Sequence, residues 1–254
     1  MSPTLLGAPY DGGSTHLQGA ADAPALIRQA LWSPAGNSWS EAGVDVREHL
    51  DDAGDLDFPA EANPREIIED AVALLLKRSA RPLILGGDHS ITYPAVRAFR
   101  RLRPGFDILH VDAHPDLYDE YEGDRYSHAS PFARIMEEGS DNGLVQVGVR
   151  TMNGHQREQA SRLGVRVVTM REWASGVRFE LSRPVYLSID LDALDPAFAP
   201  GVSHREPGGL SVRDVIGIVH GLAVPLVGAD VVECNPRQDP SGVTAIVVSD
   251  LAQV

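Results

Sequence analysis

The chain has 254 residues, and its 36 Asp and Glu outnumber its 22 Lys and Arg to give a formal net charge of −14. This acidity excludes a nucleic-acid backbone or an anionic membrane surface as the natural partner and favours cationic ligands or metal ions. The length fits one large α/β domain, which we place over residues 1–254, and the single cysteine excludes an intrachain disulfide framework.

The N-terminal segment has no basic patch followed by a long apolar stretch, and no apolar run approaches the roughly 20 residues that a membrane helix requires. We therefore expect a cytoplasmic protein. Short runs rich in Val, Ile and Leu recur along the chain and predict strands that are buried on both faces. In chain order, the predicted strands are residues 4–8, 82–85, 106–111, 144–149, 165–169, 185–189 and 226–232.

Helical spacing occurs between the predicted strands. Asn63 can cap a helix that has Pro64 at its first position and Glu66 three residues beyond the cap. Ser211 can cap a second helix, with Asp214 in the corresponding position. This alternation of strands and helices predicts an α/β fold with a mainly parallel sheet and helices on both faces.

Acids and histidines follow four of the predicted strands, and in open α/β sheets ligands bind outside the carboxyl ends of the strands. These strands run in turn into Gly86-Gly87-Asp88-His89-Ser90, Asp112-Ala113-His114-Pro115-Asp116, Asp190-Leu191-Asp192 and Glu233-Cys234-Asn235. Because side chains alternate along extended chain, Asp112, His114 and Asp116 can project to one side, and so can Asp190 and Asp192.

The six candidate ligands are four carboxylates and two imidazoles: His89, Asp112, His114, Asp116, Asp190 and Asp192. Four clustered carboxylates without cations would repel one another and take up protons. One divalent ion cannot readily use all of them, whereas two ions that share carboxylates and a water can, as in two-metal hydrolases. The oxygen-rich set favours Mn(II), although Co, Ni, Fe or Zn would also bind.

Each motif also has a purely structural explanation. A polar loop often follows a strand, an Asp often caps the next helix, and paired glycines allow a tight turn. For the whole set, chance is a weaker explanation than a shared metal site, because four separate strands would all have to end in ligand-type residues by accident. The remaining histidines are interpreted as surface or satisfied core residues: His16, His49, His110, His155 and His220.

The stretches around these motifs resemble the signatures of the ureohydrolases, the arginase and agmatinase superfamily. Residues 188–201 and Glu206-Pro207-Gly208-Gly209-Leu210 extend the match, and residues 126–137 and 201–204 are especially similar to plant-type arginases. The resemblance implies a three-layer α/β/α sandwich, two Mn(II) per subunit, and hydrolysis of a guanidino carbon to urea and an amine. It also implies a homo-oligomer, a trimer or hexamer.

The resemblance further implies roles for individual residues. His89, Asp112, Asp116 and Asp190 would hold one metal, and Asp112, His114, Asp190 and Asp192 the other. Asp116 would also relay a proton beside the nucleophile. His128 would assist proton transfer, Glu233 would receive the cationic guanidino group, and Ser130 would contact the substrate.

The substrate is less well defined by the sequence. We favour arginine, but agmatine, other guanidino acids and formimidoylglutamate present a similar reacting group. The loop of residues 118–125 contains four acids, which suit an amine tail, and Arg125, which could hold a carboxylate; a solvated loop without ligand contact explains it equally well. Asp124, where we expect Asn in plant-type arginases, and the agmatinase-like Pro9-Tyr10-Asp11 weaken the assignment to arginine.

Two proteins of other kinds remain as alternatives. One is a catalytically silent metal-binding scaffold, which the complete ligand set disfavours. The other is a deacetylase-like hydrolase with one zinc ion, which His114 and Asp192 disfavour because they would be needed only for a second metal.

Overall fold

A computed structural model describes residues 2–139 and 143–254, which contain eight strands and eight α-helices. The strands are Pro3–Ala8 (β1), Asp51–Asp55 (β2), Arg81–Gly86 (β3), Asp107–Val111 (β4), Leu144–Val149 (β5), Arg166–Thr169 (β6), Val185–Asp190 (β7) and Leu226–Val232 (β8). The helices are Ala23–Leu31 (α1), Pro64–Lys77 (α2), Thr92–Leu102 (α3), Pro131–Glu138 (α4), Gly154–Arg162 (α5), Met170–Ala174 (α6), Val212–His220 (α7) and Val243–Leu251 (α8).

All eight strands belong to one sheet, in the order β2-β1-β3-β8-β7-β4-β5-β6, and every pair is parallel. The four strands that end in the sequence motifs are therefore neighbours at the centre of the sheet. Their register aligns Leu85 with Val231, Val231 with Ile189, and Ile189 with Val111. Because parallel strands end at the same edge, the four motifs meet just beyond these residues.

The sheet has a hydrophobic core on each face, as the predicted α/β/α sandwich requires. One core contains residues of α1, α7 and α8 together with alternate strand residues such as Leu85 and Ile189. The other contains residues of α2, α3 and α4 together with Ile84 and Ile108. Neighbouring residues of one strand thus face opposite layers, and the near-continuous apolar runs in the sequence reflect burial on both sides.

The predicted helix starts are confirmed at α2 and α7. Asn63 accepts a hydrogen bond from the backbone N–H of Arg65 at 3.2 Å, and Ser211 and Asp214 form a reciprocal capping box. A helix cap of this kind contributes about 1 kcal/mol to stability. Among the helices described, none is long and apolar enough to span a lipid bilayer.

Strand β2 was not predicted, because its sequence, Asp-Asp-Ala-Gly-Asp, is exposed throughout and has no apolar pattern. It pairs with β1 at the edge of the sheet, where Arg28 of α1 forms an ion pair with Asp52 at 2.9 Å. Charged residues on an edge strand hinder pairing with a further strand. The acidic composition of β2 therefore suits its position.

Candidate metal centre

The six predicted ligands meet beyond the carboxyl ends of β3, β4 and β7. Nδ1 of His89 lies 3.0 Å from carboxylate oxygens of both Asp116 and Asp190, and 3.4 Å from Oδ2 of Asp112. Nδ1 of His114 lies 3.0 Å from Oδ2 of Asp192 and 3.4 Å from Oδ1 of Asp112. Two imidazoles thus each face carboxylates, and Asp112 contacts both imidazoles through different oxygens.

The cluster lies at the floor of a cavity of about 440 Å³. His89 and Asp112 are completely buried, whereas 24% of the His114 side chain is exposed. The cavity is lined by residues of the cluster and of the surrounding loops: Thr15, His114, Asp116, Tyr118, Tyr121, His128, Ala129, Thr151, Met152, Asn153, Gln156, Asp190, Asp192, His204 and Glu233. A small molecule in this cavity would reach the cluster from the side of His114 and Asp116.

The pKa values of the cluster show that its buried carboxylates are destabilised in their charged form unless positive charge is nearby. Burial raises the pKa of Asp190 well above its ordinary value, and the charges of Asp192 and Asp112 raise it further. Burial likewise raises the pKa of Asp192 to about 7. Burial alone would lower the pKa of His89, but its hydrogen bonds to three carboxylates raise it well above the usual value. Protons or metal cations would relieve this concentration of negative charge.

The donor set fits divalent metal ions. Ligand atoms of His89, His110, Asp112 and Asp116 all lie within 4.8 Å of one another, and so do those of Asp112, His114 and Asp192. Both groups contain only imidazole nitrogens and carboxylate oxygens, which suit Mn(II) and other first-row divalent ions. Asp190 lies outside both groups, although its Oδ2 contacts His89 at 3.0 Å. The assignment of Asp190 as a shared ligand therefore stays a prediction.

Asp190 also caps the turn that follows its strand, which is the structural role considered for it from the sequence. Its Oδ1 accepts a hydrogen bond from the backbone N–H of Asp192 at 2.8 Å, which caps the short 3₁₀ turn after β7. Its Oδ2 faces His89. One carboxylate thus both caps a turn and faces the cluster, so the two explanations do not exclude each other.

His110 is a buried histidine that contacts the cluster although it was not among the predicted ligands. It was interpreted as a surface or satisfied core histidine, and it is indeed buried, but its Nε2 lies 2.7 Å from Oδ2 of Asp112. The signal was its position two residues before Asp112 on β4, because alternation along a strand places both side chains on one face.

His128 and Glu233 lie beside the cluster and contact each other. Nδ1 of His128 is 2.9 Å from Oε1 of Glu233, and Nε2 of His128 is 2.9 Å from the hydroxyl of Thr15. Burial would lower the pKa of His128, but the Glu233 charge and hydrogen bond raise it to about 9. Burial would raise the pKa of Glu233, but His128 holds it below the usual value. Each member of the pair thus favours the charged form of the other.

The glycines of the first motif allow a close approach of the N-terminal loop. A Cβ on Gly87 would lie 1.9 Å from the carbonyl oxygen of Tyr10, so a side chain cannot fit there. The next residue, Asp88, accepts a hydrogen bond from the backbone N–H of Gly13 at 2.8 Å. This contact holds the loop that carries Thr15 against the end of β3.

Asp116 and Glu233 have left-handed backbone conformations, with φ of 49° and 64°. Residues other than glycine rarely adopt this region, and those that do cluster at functional sites. The conformation turns each chain sharply where it leaves the sheet, and both side chains line the cavity.

Arg150 fastens two loops around the cluster. Its guanidinium donates hydrogen bonds to the backbone carbonyls of Asp192 at 2.6 Å, Ala193 at 3.1 Å and Glu206 at 3.0 Å. The loop that contains Glu206 also places a carboxylate oxygen of this residue 3.6 Å from Nε2 of His114. Arg150 was not singled out from the sequence, because nothing local shows that its partners are main-chain oxygens 42 to 56 residues away.

Ser130 follows His128 closely in the chain but is not among the residues that line the cavity. The side chain is completely buried at the start of α4, and the neighbouring Ala129 lines the cavity instead. Contact between Ser130 and a substrate therefore stays a prediction, and the function proposed below does not depend on it.

The acidic loop of residues 118–125 contributes aromatic rather than charged groups to the cavity. Tyr118 and Tyr121 line it. Arg125 instead forms an ion pair with Glu137 of α4 at 3.3 Å, and Asp124 accepts a hydrogen bond from the backbone N–H of Tyr126 at 2.8 Å. Neither an acidic rim nor a basic anchor is formed by this loop.

Plant arginases are similar to this chain over nearly its whole length. "Arginase 1, mitochondrial" of Arabidopsis thaliana is 47% identical to it, in a match that covers 99% of this chain and 79% of the relative. The names of the matching plant arginases also contradict the expected cytoplasmic location, because several are called mitochondrial and one chloroplastic/mitochondrial. The expectation failed because it took the cytoplasm as the default for a chain in which no targeting pattern was recognised, and that is weak evidence of location.

Solved structures agree with the sequence relatives. The arginase from Medicago truncatula has a TM-score of 0.92 and 43% sequence identity, covering 99% of this chain and 85% of its own. A hypothetical agmatinase from Burkholderia thailandensis has a TM-score of 0.88 and 33% identity, covering 100% of this chain and 84% of its own. The model of the arginase family matches residues 2–254. This chain, a hydrolase of guanidino compounds by its relatives and fold, therefore belongs to the arginase family.

Proposed function

We propose that the cluster holds two Mn(II) ions and that the protein hydrolyses arginine to urea and an amine. The observation that carries this proposal is the contact of Asp112 with two imidazoles, 3.4 Å from Nδ1 of His89 and 3.4 Å from Nδ1 of His114. A carboxylate in this position can serve two metal sites at once. The similarity to plant arginases supports arginine as the substrate.

The proposed metal ligands follow from the two groups of contacts. His89 and the three carboxylates that contact it, those of Asp112, Asp116 and Asp190, would hold one ion. His114, Asp112 and Asp192 would hold the other. Asp190 is added to this second set from the family resemblance and not from a contact. When bound, two divalent ions provide Lewis acidity and lower the pKa of a water that they share.

Glu233 would bind the guanidinium of the substrate. Its side chain is buried, ionised and part of the cavity lining. Oε1 accepts hydrogen bonds from His128 and from the backbone N–H of His89, both at 2.9 Å, so we assign Oε2 to the substrate. A charge-assisted hydrogen bond from a planar guanidinium would fix the orientation of its carbon.

His128 would supply a proton to the departing amine. Its pKa is raised to about 9, chiefly by Glu233, which favours the protonated form that this step needs. Thr15 and Glu233 contact its two ring nitrogens and hold the ring at the cavity wall. Asp116, which also lines the cavity, is the second residue that we assign to proton transfer.

The outer wall of the cavity favours an amino-acid tail. Tyr118, Tyr121, Asn153 and Gln156 line it with neutral groups that both donate and accept hydrogen bonds. Such groups can pair with the ammonium and the carboxylate of a zwitterion. An acidic wall would suit agmatine, whose tail is cationic, and a basic wall would suit guanidinobutyrate; the loop contacts described above provide neither.

A substrate panel tests the proposal. The purified protein would be incubated with Mn(II), Co(II) or Ni(II) and with arginine, agmatine, guanidinobutyrate, guanidinopropionate, guanidine or formimidoylglutamate. We expect the highest kcat/KM for arginine with Mn(II), by at least about tenfold, which corresponds to ~1.4 kcal/mol. A preference for agmatine would contradict the substrate but not the hydrolase, and no reaction with any compound would identify a silent scaffold.

A further inference from the structure

His110 occupies a fixed position behind the cluster. It lies on β4 and is completely buried, and its ring stacks on Phe132 with centroids 3.8 Å apart and planes at 25°. Both ring nitrogens have close polar partners, Asp112 at Nε2 and Gln146 at Nδ1. The stacking fixes the ring plane, and the two contacts fix its rotation within that plane.

The contacts of Gln146 determine which nitrogen of His110 carries the proton. Nε2 of Gln146 is 2.6 Å from the carbonyl oxygen of Pro115, which can only accept, so the amide must present its NH₂ group to this side. The same NH₂ group lies 3.0 Å from Nδ1 of His110. Nδ1 must therefore accept, and a neutral imidazole then carries its proton on Nε2.

The protonated nitrogen of His110 points at the shared carboxylate. Nε2 donates to Oδ2 of Asp112 at 2.7 Å, while Oδ1 accepts from the backbone N–H of His114 at 2.6 Å. We propose that His110, oriented by Gln146, is a positioning residue that holds Asp112 in the orientation needed to serve both metals. This inference rests on the proposed function only in taking Asp112 as a metal ligand.

The same geometry separates this role from direct ligation. His110 is close enough to the cluster to be counted among its possible ligands. A histidine ligates through an unprotonated nitrogen, but Nδ1 faces Gln146 and Nε2 carries the proton that it donates to Asp112. His110 therefore acts on the metals through Asp112. Outer partners of this kind typically change metal affinity by 10–100-fold when removed.

The test compares Mn(II) affinity in matched variants, measured by titration with electron paramagnetic resonance of free Mn(II). His110→Phe keeps a flat ring on Phe132 and removes the donor, and we expect at least about a tenfold weaker affinity. His110→Gln keeps an N–H that reaches Asp112 and should restore affinity to within about threefold. Gln146→Leu should weaken affinity in the wild-type background but add nothing to His110→Phe, since it acts only through His110.

Thermal unfolding of each variant in EDTA shows whether that variant is folded. If His110→Phe does not fold, the affinity of Gln146→Leu provides the test in its place. Unchanged affinity in both His110→Phe and Gln146→Leu would overturn the inference. Equal losses in His110→Gln and His110→Phe would overturn it as well, because they would make His110 a ligand. If the wild-type protein bound no Mn(II), the proposed function would fall and this inference with it, whereas the preceding outcomes leave the proposed function intact.

Discussion

Asp112 is the residue on which the contacts of the candidate centre converge. It is completely buried, and His89, His110 and His114 all lie within 3.4 Å of its carboxylate oxygens. No other carboxylate among the described parts of the cluster contacts both metal-facing imidazoles. Asp112 is thus assigned to metal binding, whereas His128 is assigned to proton transfer, and single substitutions should separate the two roles.

Removal of Asp112 should abolish both metal binding and activity, because it takes a ligand from each site. Removal of His128 should lower kcat by about 10²–10⁴-fold while leaving metal binding intact, because it takes away only a proton donor. Metal content after gel filtration and kcat would be measured for Asp112→Ala and His128→Ala. The division of roles is wrong if His128→Ala loses metal as readily as Asp112→Ala.

Some residues of the site could be identified from the sequence and others could not. The ligand candidates lie at strand ends within short motifs, so their positions and residue types together predicted that Asp112 and Asp190 would lie at one edge of the sheet. The contact of Thr15 with His128 joins positions 113 residues apart through a loop with no regular structure, and no local pattern indicates it. For Ser130, the predicted substrate contact is neither supported nor excluded by its buried position at the start of α4.

At the scale of elements, the site depends on which strands are neighbours. Alternating strands and helices predicted a parallel sheet, but the adjacency of β3, β8, β7 and β4 became apparent only in the structure. The loops after these strands are held by additional hydrogen bonds. Arg150 donates such bonds to the backbone carbonyls of Asp192 and Ala193 in the loop after β7. Its guanidinium spans several carbonyls at once, which a lysine ammonium cannot do.

Arg150→Lys should destabilise the metal-free protein by about 2–3 kcal/mol, because several carbonyls lose their donors and each net hydrogen bond contributes about 1 kcal/mol. Urea denaturation would show this as a lower midpoint with an unchanged slope. Arg213→Lys is the matched control. Arg213 pairs with Glu41 at 2.7 Å on the exposed surface, and its replacement should leave the urea midpoint nearly unchanged. Equal losses in the two variants would contradict the role of Arg150.

At the scale of the whole molecule, part of the net charge of −14 now has a location. Four of the acidic side chains, Asp112, Asp116, Asp190 and Asp192, converge at one edge of the sheet, where two divalent cations would offset their charge. Ions that bind only the folded state also stabilise it, by about 2.7 kcal/mol at a concentration 100 times Kd. Others of the acids lie elsewhere and have structural roles, as on the exposed strand β2.

The central claim is that this edge of the sheet is a binuclear hydrolytic centre. The measurement that tests it most directly is a titration of the metal-free protein with Mn(II), following urea release from arginine and bound Mn(II) together. We expect activity to rise from zero and to reach its plateau at about two Mn(II) per chain. A plateau at one Mn(II) per chain, or no urea at saturating Mn(II), would contradict it.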